Sequence, residues 1–145
     1  MLIRILALIV LSPSLFLGCQ EAKTKQGRAF LTLIQAIDIK APYQQRKFAV
    51  NALRELALDD DNLTRIREQC LRAHGALIES EELQANARRA LGPSGSNGSN
   101  ARVPEEKALA AITAIEQSNA SLKRAMTDFP LCEREVRALA MRFRR

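Results

Sequence analysis

Apolar residues recur along this chain at helical spacing. Phe30, Leu33, Ile34 and Ile37 return every three or four positions, the repeat that gathers side chains on one face of a helix. Asp38 to Ala41 interrupts the pattern. Pro42 suits the first position of a second helix, where its missing amide hydrogen is not needed and its backbone angle is already set. Tyr43, Val50, Leu53 and Ala57 form that helix's inner stripe, with Asn51 and Arg54 on the outer side. Asp59-Asp60-Asp61-Asn62 then offers capping oxygens and negative charge to the positive end of a third helix. Its apolar positions Leu63, Ile66, Cys70, Ala73 and Leu77 are spaced three, four, three and four. The pattern runs on through Leu83, Ala87 and Leu91 to Gly92-Pro93, a pair that stops helices. Gly75 and the polar run from Glu79 to Glu82 leave open whether residues 61–91 form one helix or two.

Residues 92–103 are rich in Gly, Ser and Asn, bury no apolar area, and predict a flexible connection between helical halves. Pro104, Glu105 and Glu106 open the next helix. In it Ala108, Ile112, Ile115, Asn119, Leu122, Met126 and Phe129 are spaced four, three, four, three, four and three. This heptad-like stripe is expected to pack inside a bundle; the other use of such a stripe is a coiled-coil seam with a second chain. Pro130 predicts a break or kink. A last segment places Cys132, Val136, Leu139 and Phe143 inward, with arginines outward or at the C-terminal end, where cations are favoured. The expectation is an all-α fold, a small bundle of four to five helices.

Composition agrees with helices. Tryptophan is absent and aromatic residues make up only 4% of the 145 residues, while Ala, Leu, Arg, Glu and Gln dominate, a mixture that favours helix over strand. The formal charge is +6, unevenly spread. Residues 23–47 carry six Lys and Arg against Asp38 alone, residues 54–83 carry eight acids against four arginines, and the C-terminus is basic again. Basic ends near Arg46, Lys47 and Arg142 to Arg145 suit anionic lipid, lipopolysaccharide or an acidic protein partner, or are a solvated helical surface.

The N-terminal stretch is patterned differently. Arg4 precedes an apolar run from Ile5 to Leu11, broken at Ser12-Pro13-Ser14 and resumed up to Gly18. The run is shorter than the ~20 apolar residues of a membrane-spanning helix and reads as a secretory signal. Its end, Leu15-Phe16-Leu17-Gly18-Cys19, resembles the lipobox of bacterial lipoproteins, in which a small residue precedes the cysteine that becomes lipidated and N-terminal. Phe16 and Leu17 stand where that family more often has leucine and a smaller or β-branched residue. The resemblance implies a signal peptide over residues 1–18, lipidation of Cys19 and a short lipid-anchored tether over 19–27. The helical domain then covers 28–145. The same resemblance implies the outer membrane, facing the periplasm, because the residue after the cysteine is Gln20 and not aspartate. More than one acyl chain is needed for stable anchoring. An envelope address disfavours nucleic acid as a partner.

With Cys19 assigned to lipid, Cys70 and Cys132 remain as an even pair in an oxidising compartment, and a disulfide between them is expected. Each lies on the apolar stripe of its helix with a leucine seven residues later, Leu77 and Leu139. A competing arrangement groups Cys70, His74 and Cys132 as soft metal ligands, with His74 otherwise expected to be a partly exposed helix residue; two free buried thiols are the third possibility. Cys-x-x-Cys-His and a phosphate-binding glycine loop are both absent from the sequence. Glu81-Glu82 and Glu105-Glu106 are adjacent pairs that point in different directions and read as solubilising charge. No nucleophile with a matching base is evident. The expected role is therefore non-catalytic and without a cofactor: an envelope adaptor or assembly protein, with a binding module for an envelope ligand or anionic lipid as the alternative.

Overall fold

The computed structural model describes the backbone of residues 15–92 and 103–143 and the side chains of 21–92 and 103–143. The expected signal sequence, the Cys19 side chain, residues 93–102 and the last two arginines therefore lie outside the described side chains. Four helices follow in order: α1 Leu15–Gln35, α2 Tyr43–Glu55, α3 Asp61–Leu91 and α4 Glu105–Phe143. The fold is a small all-α bundle. Residues 19–27, expected as a tether, are helical and belong to α1.

The punctuation acts where the sequence places it. Asp38 closes the α1–α2 turn by accepting the Lys40 amide at 2.8 Å, and Pro42 stands just before α2. The Asp60 carboxylate caps α3 by accepting the Leu63 amide at 3.0 Å; that bond, ahead of the neighbouring Lys23, holds the Asp60 carboxyl below the usual range. Gly92 ends α3 with φ of 76°, a left-handed conformation in which side chains are strained. α3 is one helix of 31 residues. α4 passes Pro130 without ending. Pro130 and Met126, whose carbonyl the proline ring deprives of a donor, are both exposed. On either side Asp128 accepts Gln69 Nε2 at 2.9 Å and Glu135 pairs with Arg65 at 3.2 Å, which keeps the two halves of α4 against α3.

The core is a single cluster of Phe30 and Ile34 from α1, Ile37 from the turn that follows it, Val50 and Leu53 from α2, Leu63, Ile66, Cys70, Ala73 and Ile78 from α3, and Cys132 and Leu139 from α4. Cys70 and Cys132 are bonded to each other at its centre, with Cα atoms 4.8 Å apart. This uses both sulfurs and displaces the three-ligand metal arrangement. α1 is tied to the α2–α3 link by Gln26, which donates to Asp59 Oδ2 at 2.8 Å and accepts the Asp59 amide at 3.0 Å. Gly27 lies where α1 crosses the end of α4: a Cβ there would stand 2.2 Å from the Phe143 ring. Arg67 Nη1 donates to the Leu56 carbonyl at 2.7 Å and caps the end of α2.

One expectation is reversed. The stripe Ile112, Ile115, Leu122 and Met126 faces outward, and the side of α4 that meets α3 is built from Ala111, Ser118, Ala125, Cys132 and Leu139, with Ser121 beside them. Those five recur every seventh residue, and Ile66, Ala73, Ser80 and Ala87 repeat in the same way on α3. The disulfide chooses between the two stripes. Once Cys132 is turned toward Cys70, positions seven, fourteen and twenty-one residues earlier lie on nearly the same side of the helix. Their small side chains then permit the backbones to approach as closely as the bond requires.

Candidate functional site

Two places outside the core carry chemistry. The first is an open cleft of about 930 Å³ between the start of α2 and the second half of α3, with Tyr43, Arg46, Glu81, Glu82, Arg88 and Arg89 among its lining residues. Arg46 is buried because α2 must present that position to α3, and three bonds make its burial tolerable. Nε donates to the Ala41 carbonyl at 2.8 Å, Nη1 to Glu81 Oε1 at 2.7 Å, and Nη2 to Glu81 Oε2. Such a two-pronged pairing fixes orientation as well as charge. From the next residue of α2, Lys47 Nζ pairs with Glu82 Oε1 at 2.6 Å, and the hydroxyl of Tyr43, one turn before it, donates to the same carboxylate.

Glu82 is held below the usual carboxylate range by its bond from Lys47 first and by Tyr43 second. Lys47 is raised chiefly by the same bond, and the Tyr43 phenol is pushed up by partial desolvation and then by Glu82. Glu81 and Glu82 are therefore structural partners of α2, which corrects their reading as solubilising charge. It also removes Arg46 and Lys47 from the free basic surface expected at that end. Arg88 is exposed and has no ion-pair partner among the described residues.

His74 is also placed differently from expectation. It is buried, its ring edge-on to Phe129 with centroids 4.8 Å apart, and burial pulls its imidazole down to about 4. No group of three His, Cys, Asp or Glu that would hold a metal occurs among the described residues.

The second place is the outer face of α4. The last α3 side chains to bond α2 are Glu81 and Glu82, and beyond them α3 and α4 run on as a two-helix arm. Its antiparallel register is set by Cys70–Cys132, by Arg124 Nη2 on Glu79 at 2.6 Å and by Ser118, whose hydroxyl donates to the Ser80 carbonyl at 3.0 Å. Because the seam between α3 and α4 holds alanine and serine, the larger apolar side chains of α4 remain outside. Leu109, Ile112, Ile115, Leu122 and Met126 are 58, 53, 45, 37 and 69% exposed. They form one strip around Asn119, edged by Glu116 and Lys123. The spacing that would have revealed the inward side was the seven-residue step back from Cys132.

No helix among the described residues is long and apolar enough to cross a membrane. Compared with known proteins, the chain matches no family model, no curated protein and no solved structure.

Proposed function

We propose that this chain is a lipid-anchored envelope protein, held at the outer membrane through Cys19 and facing the periplasm, that works without catalysis as an adaptor or assembly protein. The observation that carries the role is the strip on α4: contiguous exposed apolar surface of this kind marks contact sites on otherwise soluble domains. The buried disulfide supports the compartment, since such bonds persist in oxidising surroundings. The lipobox-like run up to Cys19 supports the anchor.

The test is made in intact cells. Cys19→Ser should abolish fatty-acid incorporation and release the chain from membranes. A photocrosslinking residue at Met126 should give discrete protein adducts, while one at the exposed Lys107, away from the strip, should not. Fatty-acid-free membrane association would overturn the anchor, and equal adducts from both positions would overturn the role of the strip.

A second reading rests on Arg88, an exposed cation in an open cleft without an ion-pair partner. On that reading the domain binds an anionic envelope ligand or lipid headgroup. Binding of the purified protein to anionic vesicles or lipopolysaccharide should weaken steeply with salt and drop on Arg88→Ala; salt-insensitive binding would dismiss it.

A further inference from the structure

The strip on α4 has a polarity that selects its occupant. Read as a heptad, Ile112, Asn119 and Met126 take the first core position and Ala108, Ile115 and Leu122 the second, while Phe129, next in that series, is packed inward against His74. One flank of that seam, Ala111, Ser118 and Ala125, is already buried against α3. The other flank carries Glu116 and Lys123, both exposed and both without an ion-pair partner among the described residues. Two opposite charges seven residues apart on one edge, with a single asparagine midway in the seam, make a surface complementary to itself when turned end for end.

We propose that two copies of this chain pair through the outer faces of their α4 helices, antiparallel, about a two-fold axis that passes between Asn119 and Ala120. The proposal rests on reading the strip as a docking surface and names what docks there. A two-fold interface requires that each contact be made twice with the roles exchanged. About this axis Glu116 stands level with Lys123 of the second copy, and Lys123 with Glu116 of the second copy. Ile112 comes within one residue's rise, about 1.5 Å along the axis, of Met126 of the second copy. Ile115 comes within two residues of the second copy's Leu122. Asn119 meets its own equivalent, so a polar core position that would be costly against an apolar partner finds an amide to bond. Single core asparagines of this kind set register at some cost in stability.

A parallel pairing of the same faces lacks this match. It sets Glu116 level with Glu116 and Lys123 level with Lys123, while the opposite flank offers only the buried small residues. An unrelated apolar helix would cover the isoleucines and leave Asn119 unbonded. The antiparallel dimer is a rod with a four-helix body at each end.

The experiment uses the full mature chain, purified in detergent with micelles in excess over protein. Sedimentation should give a dimer. Glu116→Lys and Lys123→Glu, each alone, should weaken dimerisation at least tenfold. An equimolar mixture of the two variants should dimerise again, because each then carries the charge the other lacks. Both positions are exposed, and unchanged thermal unfolding at low protein concentration checks that the fold is intact.

A zero-length carbodiimide coupling on a mixture of ¹⁴N- and ¹⁵N-labelled protein should join Glu116 of one label to Lys123 of the other. A dimer linked through different residues overturns the pairing. A strictly monomeric wild-type chain overturns the second copy as occupant. If photocrosslinking from Met126 in cells then yields a different protein, the docking surface stands while the self-pairing falls. If it yields nothing, both fall.

Discussion

The hydroxyl oxygens of Ser80 and Ser118 lie 2.9 Å apart across the seam between α3 and α4, both buried. Ser118 also donates to the Ser80 carbonyl at 3.0 Å and accepts Gln84 Nε2 at 3.2 Å. Ser118→Ala removes these bonds without changing the spacing of the helices and should cost about 1 kcal/mol. Ser118→Leu must push the helices apart and should cost about 2–3 kcal/mol. Urea midpoints for the two variants check this; equal losses would mean that the seam has slack.

The Arg46–Glu81 pair should be intolerant of a conservative exchange. Lysine keeps the charge but has neither the second prong nor the bond to the Ala41 carbonyl, so Arg46→Lys should lose most of what Arg46→Ala loses. Glu81 retains partial solvent access, with 31% of its side chain exposed, so the alanine variant should cost about 2 kcal/mol, below the range for wholly buried pairs. Denaturant unfolding at pH 7 reads both, and full stability in the lysine variant would contradict the bidentate role.

Acid should destabilise the domain through His74. The unfolded imidazole titrates near 6.5 and the folded one at about 4. Between those values the unfolded chain binds a proton that the folded chain refuses. This contribution is therefore fully present above about pH 6.5 and is lost as pH falls toward 4, about 3 kcal/mol across the whole window. His74→Gln should flatten that part of the pH profile. Glu82, Glu135 and Asp60, whose carboxyls are depressed, lose stability lower down, so the difference between wild type and variant isolates the histidine.

Two glycines should respond oppositely to the same substitution. Gly75 sits inside α3 with nothing within 4 Å of an added Cβ, so Gly75→Ala should stabilise by about 0.5–1 kcal/mol through helix propensity. Gly27→Ala places a methyl against the Phe143 ring and should destabilise by about 1–3 kcal/mol as the end of α4 is displaced. Melting temperatures moving in the same direction would contradict the packing of α1 on α4.

Reducing Cys70–Cys132 releases a constraint between residues 62 apart. The stability lost should approach 4 kcal/mol in the chain-entropy model. Thiol labelling of the denatured, unreduced chain should leave both cysteines unmodified; stoichiometric labelling of Cys70 would refute the bond.

Most of the helical framework is legible in the sequence. Pro42, Asp60, Gly92 and Glu105 stand at the ends of helices because capping and backbone restriction are local effects that the sequence states directly. The pairing of Cys70 with Cys132 was legible for a different reason, the even count left once Cys19 was set aside. The inward side of α4 was not. Ile112, Ile115, Leu122 and Met126 have the right spacing and greater hydrophobicity than Ala111, Ser118 and Ala125, and a local pattern favours them. A covalent bond at Cys132 outweighs that preference, and its effect reaches three heptads away. Arg46, Glu81 and Glu82 were illegible for a related reason: charged residues read as surface until the helix supplying their partners is in place.

The bond between Cys70 and Cys132 also gives the chain the topology of a closed ring with two tails. The ring holds the second half of α3, the connection and most of α4, which includes the whole arm. A protease that severs the backbone once anywhere between the two cysteines produces no separate fragments: the nicked molecule migrates as one species until a reductant is added. The body, its N-terminal segment and both strands of the arm would stay in one covalent piece, and whatever the arm grips would remain tied to the same molecule after the cut.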